Sequence, residues 1–255
     1  MIIHDLKGFL DEKVELYNRL EFIITDPISI PHRYNIKEDI EVAGFLSATI
    51  AWGNRISIVK NGNRLMDMMD NSPYHFIINA GKKETAQLEK FVHRTFNNSD
   101  VLFFIEALRN IYQNHGGLEA SFSDGIKDND TDVFPAIMHF RSQFLSIPHL
   151  SRSEKHIANP AKGSTAKRIN MFLRWMVRKD NKGVDFGLWN TIKPSQLSCP
   201  LDVHSGRVAR QLGLLNRSQN DWRAVVELTE VLREFDPEDP VKYDFALFGT
   251  GVNER

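Results

Sequence analysis

The chain has 255 residues, and its 32 Lys and Arg against 33 Asp and Glu give a formal net charge of -1 at pH 7. This balance argues against a protein that coats nucleic acid by bulk electrostatics, although a local basic face can still follow a few phosphates. The single cysteine, Cys199, excludes an internal disulfide and a four-cysteine cluster, and the histidines lack metal-ligand spacing. We therefore expect no metal and no cofactor.

Charged residues appear within the first few positions of the chain, and its N-terminal part contains no long apolar run. A signal peptide and a membrane span are therefore not expected, and neither is a membrane partner. Together with the lone cysteine, this pattern indicates a cytoplasmic protein.

Apolar residues recur at spacings of three and four in nearly every segment, which is typical of helices and predicts an all-α protein. The predicted helices of the first part of the chain cover residues 6–24, 39–51, 56–69, 100–112 and 132–145. The helix over 39–51 is apolar almost all round, so we expect it to be the core helix of a first lobe.

The second part of the chain is predicted to contain helices over residues 164–178, 202–212, 218–235 and 239–248. The last of these starts with Asp239 as N-cap and Pro240 at the first helical position. Residues 164–178 form the strongest basic segment, with Lys167, Arg174 and Arg178 on one side and Arg168 beside them.

One segment carries a recognisable signature, which reads Pro-Leu-Asp-Val-His-Ser-Gly-Arg-Val-Ala-Arg-Gln-Leu-Gly-Leu over residues 200–214. It resembles the helix-hairpin-helix DNA glycosylases (the endonuclease III and 8-oxoguanine glycosylase group), in which Val-Asp-x-His opens a helix that continues Arg-Val-x-x-x-Leu-Gly-Leu. The resemblance implies that Asp202 is the catalytic carboxylate, which stabilises the oxocarbenium-like sugar and orients or deprotonates the nucleophile. A helix N-terminus suits an ionised carboxylate. Spacing alone favours the interpretation of Asp202 as a plain N-cap, and the match of the surrounding residues reverses that preference.

The segment over residues 162–168 falls where these glycosylases place their hairpin, Leu-Pro-Gly-Val-Gly-x-Lys-x-Ala, and keeps part of that pattern. Gly163 and Lys167 retain the glycine-to-lysine spacing, and Ser164 is predicted to cap a helix whose N-terminus binds an anion. The resemblance implies phosphate contacts from the following residues: Lys162, Gly163, Ser164, Arg168, Arg174, Arg178, His204 and Arg207. For His204 and Arg207 a purely structural role is an equal alternative.

In bifunctional relatives the hairpin lysine attacks the sugar and forms a Schiff base, a role that falls on Lys167 if its surroundings favour the neutral amine. The alternative is a solvated lysine on the basic face. The stretch between Lys167 and Asp202 is longer than in the commonest relatives, so residues 180–193 are expected to loop out without separating the pair.

In the first part of the chain, residues 44–49 resemble the family's early Leu-Leu-Ser-Ala-Gln helix, with Thr49 in place of the glutamine that reaches the DNA gap. The resemblance implies a substrate pocket that includes Thr49, Trp52 and Arg55. Trp52 can stack on a base or simply fill the core.

The order of these motifs resembles that of the glycosylases over most of the chain, and the whole is similar to a bacterial family related to them. We expect one unit over residues 1–255 with two helical lobes near 35–160 and 161–255, and the N-terminal helix packed on the second. The resemblance implies a base-excision enzyme that flips a damaged base out of duplex DNA and hydrolyses its N-glycosidic bond.

Two alternatives to this enzyme stay open. The first is a non-catalytic nucleic-acid-binding protein in which residues 162–182 clamp phosphates and Asp202 only caps its helix. The second is a helical protein that acts on a different partner.

Overall fold

A computed structural model describes residues 5–253, and this part of the chain is helical, with no strand beyond an isolated bridge between His93 and Phe96. The α-helices are α1 (Leu6–Tyr17), α2 (Leu20–Thr25), α3 (Lys37–Thr49), α4 (Arg55–Asp67), α5 (Pro73–Asn79), α6 (Lys82–Thr85), α7 (Asn98–Asn114), α8 (Gly117–Ser123), α9 (Phe134–Phe144), α10 (Lys167–Val177), α11 (Val203–Gln211), α12 (Trp222–Phe235) and α13 (Tyr243–Asn253). Short 3-10 helices lie at Pro27–Ser29, Pro31–Arg33, Ala86–Lys90, Ser151–His156, Pro160–Lys162, Pro194–Gln196 and Pro240–Lys242. The expectation of an all-α protein is confirmed.

The chain folds into two compact units. The central unit comprises Ile23–Lys127 and Ala136–Ala158, and the C-terminal unit comprises Met1–Phe22, Asp128–Pro135 and Asn159–Arg255. The boundary near residue 35 that the sequence suggested thus lies at residue 23, and a short internal segment belongs to the C-terminal unit.

Helix α3 forms the core of the central unit. All its residues from Ile40 to Thr49 are buried, as the apolar pattern on all its sides predicted. Its Phe45 ring packs against the rings of Phe104, Phe140 and Phe144 at centroid distances of 6.1, 5.4 and 5.6 Å. Aromatic packing of this kind supplies much of the buried apolar area that stabilises a helical unit.

Close contacts of α13 with α1 and α11 organise the C-terminal unit. A Cβ atom added to Gly249 would lie 2.2 Å from Cδ2 of Tyr17, and one added to Gly251 would lie 3.1 Å from the Cβ of His204. A Cβ atom at Gly249 would thus overlap the Tyr17 ring, whereas one at Gly251 would require His204 to shift by only a few tenths of an ångström. Gly249 and Gly251 are therefore helix-contact residues within α13.

Two helices begin or end at other residues than the sequence predicted, and in both places a polar side chain there binds a residue that is distant in the sequence. The helix predicted over 6–24 breaks after Tyr17, where Asn18 leaves the helical conformation and its Nδ2 donates to Asp180 Oδ2 at 2.7 Å. Asp239 does not cap an α-helix with its side chain, because its carboxylate accepts a hydrogen bond from Arg178 Nε at 2.9 Å. A 3-10 helix follows Asp239, and α13 starts only at Tyr243.

Candidate active site

The structure brings Lys167 and Asp202 together in the C-terminal unit. Lys167 is the first residue of α10, and Asp202 is the N-cap of α11. Lys167 Nζ lies 3.8 Å from Asp202 Oδ2, and the two side chains are 22% and 24% exposed. The pair is thus within ion-pair distance and still partly open to solvent.

The carboxylate of Asp202 is fixed in orientation by the start of its own helix. Its Oδ1 accepts hydrogen bonds from the backbone N–H groups of His204 at 2.8 Å and Ser205 at 3.0 Å. The Ser205 hydroxyl in turn accepts from the Asp202 N–H at 2.9 Å. Because Oδ1 caps the helix, Oδ2 is left to face Lys167. Capping and a chemical role are therefore compatible in this residue.

The amine of Lys167 also lies against apolar and weakly polar groups. Its Nζ is 3.4 Å from Sδ of Met171 and 5.8 Å from the ring centroid of Phe248. The amine therefore borders apolar side chains as well as a carboxylate.

The backbone just before Lys167 differs from the expectation for the hairpin. Ala166, not Ser164, is the N-cap residue of α10, and it has a left-handed conformation at φ 48 that non-glycine residues rarely adopt. Ser164 Oγ accepts from the Ala166 N–H at 3.2 Å instead of capping the helix. The preceding residues form the 3-10 helix Pro160–Lys162, which ends at Gly163 with φ 85, and not an α-helix.

The structure contradicts the phosphate contacts expected of Arg174 and Arg178. Their side chains are only 4% and 3% exposed, and both are bound to buried acids. Asp185 lies between them, with Oδ1 3.3 Å from Arg174 Nε and Oδ2 3.1 Å from Arg178 Nη1. Further acids complete this buried ion network, with Arg174 bound to Asp244 and Arg178 bound to Asp180 and Asp239. Guanidinium groups paired in this way are not available to DNA.

The extra residues between Lys167 and Asp202 build this network and do not loop out. The N–H groups of Phe186 and Trp189 donate to the carbonyls of Trp175 and Met176 at the end of α10, at 2.8 and 2.9 Å. The buried Asp185 belongs to the same segment. The insertion therefore covers the end of α10 and supplies the acid that neutralises its arginines.

The remaining predicted DNA-contacting residues lie closer to the surface. Lys162, Gly163 and Arg207 are exposed, and Arg207 Nη2 donates to the carbonyl of Gly251 at 3.0 Å. Ser164 and His204 are partly exposed. Arg168 is partly buried, and burial lowers the pKa of its guanidinium to about 10.

Asp244 is a buried acid near the pair that the sequence analysis missed. Its carboxylate is bound to Arg174 Nη1 and is 7% exposed. Burial raises the pKa of this carboxyl to about 6, although the positive charges of Arg174 and Lys167 lower it. The sequence feature that could have indicated this buried acid is its place in the otherwise apolar run at the start of α13.

The expected pocket residues belong to the central unit. Thr49 is buried at 5% exposure, and Arg55 Nη1 lies 3.5 Å from Thr25 Oγ1. The Trp52 ring stacks on His156 at 5.8 Å and meets His93 edge-on at 5.1 Å. The Trp52 ring is thus packed against side chains of its own unit.

A family model described as a protein of unknown function, DUF2400, matches residues 26–253. The chain belongs to this family. No curated protein and no solved structure matches the chain. The DUF2400 match covers nearly all of the central unit and the part of the C-terminal unit that holds Lys167 and Asp202.

Two features are absent from residues 5–253 of this DUF2400 protein. No helix there is long and apolar enough to cross a membrane. No group of three or more His, Cys, Asp or Glu side chains there is placed to hold a metal ion.

Proposed function

We propose that this DUF2400 protein is a DNA glycosylase that removes a damaged base from duplex DNA, on a two-lobed fold of the helix-hairpin-helix glycosylase type. The observation that supports this proposal is the 3.8 Å approach of Lys167 Nζ to Asp202 Oδ2 in a partly exposed position. The signature at residues 200–214 supports the same assignment by resemblance.

In the proposed reaction the neutral amine of Lys167 attacks C1′ of the flipped nucleotide. The bond from C1′ to the base breaks, and the base leaves with the bonding electrons and takes up a proton. Asp202 stabilises the positive charge that develops on the sugar and can accept the proton that the lysine loses. Ring opening then gives a Schiff base, from which β-elimination of the 3′ phosphate cuts the strand. If water is the nucleophile instead, Asp202 activates it and only base release follows.

The non-catalytic alternative depends on a cationic surface along α10. The burial of Arg174 and Arg178 in ion pairs removes the two arginines on which that surface was predicted. The exposed cations that remain are Lys162 and Lys179 in the predicted segment and Arg207 on α11, without the two central arginines of α10. The structure therefore gives this alternative less support than the sequence did.

The test is an incubation of the protein with duplex oligonucleotides that carry oxidised, alkylated, deaminated or abasic sites, with borohydride present to trap a Schiff base. We expect trapping to be lost in Lys167→Gln and retained in Lys179→Gln, because Lys179 is an exposed lysine of the same unit. We expect excision to fall about 100-fold or more in Asp202→Asn, because electrostatic stabilisation is lost. Asp221→Asn is the control, since the Asp221 side chain also caps a helix of this unit, α12, by accepting from the Ala224 N–H.

The outcomes separate the alternatives. Excision that survives in Asp202→Asn at the wild-type rate contradicts the proposal. Base release without trapping, lost in Asp202→Asn, indicates a glycosylase that uses water. Salt-sensitive DNA binding without any excision supports the non-catalytic protein.

A further inference from the structure

Four cations of the central unit share one surface and have no acidic partner. Lys60 and Arg64 are one turn apart on the exposed side of α4, and the exposed Lys90 and Arg94 lie on a neighbouring segment. Arg64 Nη2 donates to the carbonyl of Lys90 at 2.9 Å, which joins the two segments. Within the described part of the chain, none of these four side chains forms an ion pair with a carboxylate. Their charges are therefore available to a ligand.

The turn that carries Arg94 is fixed beside α4. His93 and Phe96 form an isolated bridge, in which each N–H donates to the other residue's carbonyl, at 2.8 and 2.9 Å. The buried His93 ring accepts a hydrogen bond at Nδ1 from Nδ2 of Asn61 on α4, at 3.1 Å. The Arg94 guanidinium lies against the backbone just before α4, since a Cβ atom added to Gly53 would be 2.7 Å from its Nη1. Arg94 is thus held close to the start of α4.

Two large aliphatic side chains are exposed among these cations. Ile56 lies one turn before Lys60 on α4 and is 79% exposed, and Val92 lies between Lys90 and Arg94 and is 53% exposed. No residue in 5–253 forms a hydrogen bond with the backbone N–H or carbonyl of Val92. We call these residues the mixed surface: Ile56, Lys60, Arg64, Lys90, Val92 and Arg94.

The charge of the mixed surface is complementary to an acidic partner. Glu89 is the one acid in residues 54–64 and 88–95, so the four cations outweigh it. A nucleic acid, an anionic lipid surface and an acidic protein segment all carry the negative charge that such cations attract. The remaining features of the mixed surface distinguish these three partners.

An extended protein segment is the partner that uses every feature of the mixed surface. Phosphates that are bound by the cations leave Ile56 and Val92 without a role. An anionic lipid surface takes up cations and aliphatic side chains, but it does not pair with a protein backbone as a strand does. An extended segment supplies carboxylates, aliphatic side chains and backbone N–H and carbonyl groups together. The three features therefore favour a protein segment.

We infer that the mixed surface binds an acidic segment of another protein, extended alongside Val92, with aliphatic residues between its carboxylates. The carboxylates pair with the four cations, and the aliphatic side chains contact Ile56 and Val92. Side chains on one face of an extended segment repeat about every 6.6 Å, close to the roughly 6 Å rise between Ile56, Lys60 and Arg64 along α4. The inference does not rest on the proposed function, because the proposed catalytic pair belongs to the C-terminal unit.

The test measures the fluorescence anisotropy of a labelled peptide that alternates Glu and Leu over about eight residues, mixed with the full-length protein at low salt. A second peptide has serine in place of each leucine. We expect a micromolar Kd for the Glu–Leu peptide and an affinity about tenfold lower for the Glu–Ser peptide, because the aliphatic contacts are lost. Higher salt should weaken the binding of both peptides, since exposed charges are screened.

The double variant Lys60→Glu, Arg64→Glu should bind the Glu–Leu peptide about tenfold more weakly or worse, because two attractive charges become repulsive. The matched control is Lys82→Glu, Lys83→Glu, which changes the net charge equally at exposed lysines of α6 in the same unit and should keep the wild-type affinity. Ile56→Ser should weaken the binding of the Glu–Leu peptide and leave that of the Glu–Ser peptide unchanged, which a general loss of structure would not do.

The inference is overturned if the Glu–Leu peptide does not bind, if the two peptides bind equally, or if the Lys60→Glu, Arg64→Glu variant binds as wild type does. An undamaged DNA duplex and phosphatidylserine vesicles are measured in parallel. If either of them binds more tightly than the Glu–Leu peptide and loses affinity in that variant, the mixed surface belongs to nucleic acid or to lipid, and the inference fails.

Discussion

The substitution Asp185→Asn tests whether the two arginines of α10 are structural. The Asp185 side chain is fully buried and lies 3.3 Å from Arg174 Nε and 3.1 Å from Arg178 Nη1. Removing the charge from one partner of a buried ion pair costs about 3–5 kcal/mol, because the other charge stays buried. The asparagine keeps one oxygen and can recover about 1 kcal/mol through a hydrogen bond.

Arg174 and Arg178 each keep at least one other acid, which moderates the loss further. Arg174 is still bound to Asp244, and Arg178 is still bound to Asp180 and Asp239. We therefore expect Asp185→Asn to lower the free energy of unfolding by about 2–3 kcal/mol, a large share of the roughly 5–15 kcal/mol that stabilises a typical protein.

Urea unfolding followed by circular dichroism measures this loss as a lower midpoint at an unchanged slope. Asp128→Asn is the control, because the Asp128 carboxylate also pairs with a cation, Lys193, but is 93% exposed. An exposed pair of this kind contributes little. Equal midpoints for wild type and Asp185→Asn would refute the assignment of the arginines to a buried network. Stronger DNA binding in Asp185→Asn at full stability would point to a surface role for them, because the loss of the acid would free their charges for phosphates.

Three further outcomes follow from named contacts. Because burial raises the pKa of Asp244 to about 6 from 3.8, the folded state resists its ionisation, and the stability of wild type relative to Asp244→Asn should fall as pH rises from 4 to 7. We expect the difference in the free energy of unfolding between the two proteins to change by on the order of 2 kcal/mol from pH 4 to pH 7, as measured by urea titration at each pH. A difference that stays constant with pH would contradict this expectation. Gly249→Ala should lower the stability of the protein by about 2 kcal/mol, because the added Cβ would lie 2.2 Å from Cδ2 of Tyr17. A melting temperature equal to that of wild type would show that α1 and α13 can move apart to make room for it. Asp202→Ala should lower the free energy of unfolding by about 1 kcal/mol, because the side chain that caps α11 is lost, whereas the asparagine of Asp202→Asn still caps the helix. Equal losses for the two variants in urea unfolding would contradict a stabilising role of the cap.

The sequence alone predicted the features that depend on local pattern. The spacing of apolar residues predicted helices throughout, and the apolar pattern of residues 39–51 predicted the burial of α3. Asp202 was predicted to stand at the start of α11, since an acid before a helical run is a local signal. Each of these features involves residues within a few turns of one another.

Tertiary structure decided where the charges of α10 are placed. In the sequence, Arg174 and Arg178 look like one face of a basic surface helix. Their acidic partners come from the insertion, from the segment before α13 and from α13 itself, so no local pattern reveals that they are buried. Burial of a charge depends on whether a distant residue arrives to neutralise it, and that is settled only when the chain has folded. The same folding step brings Lys167 and Asp202 to 3.8 Å across the insertion.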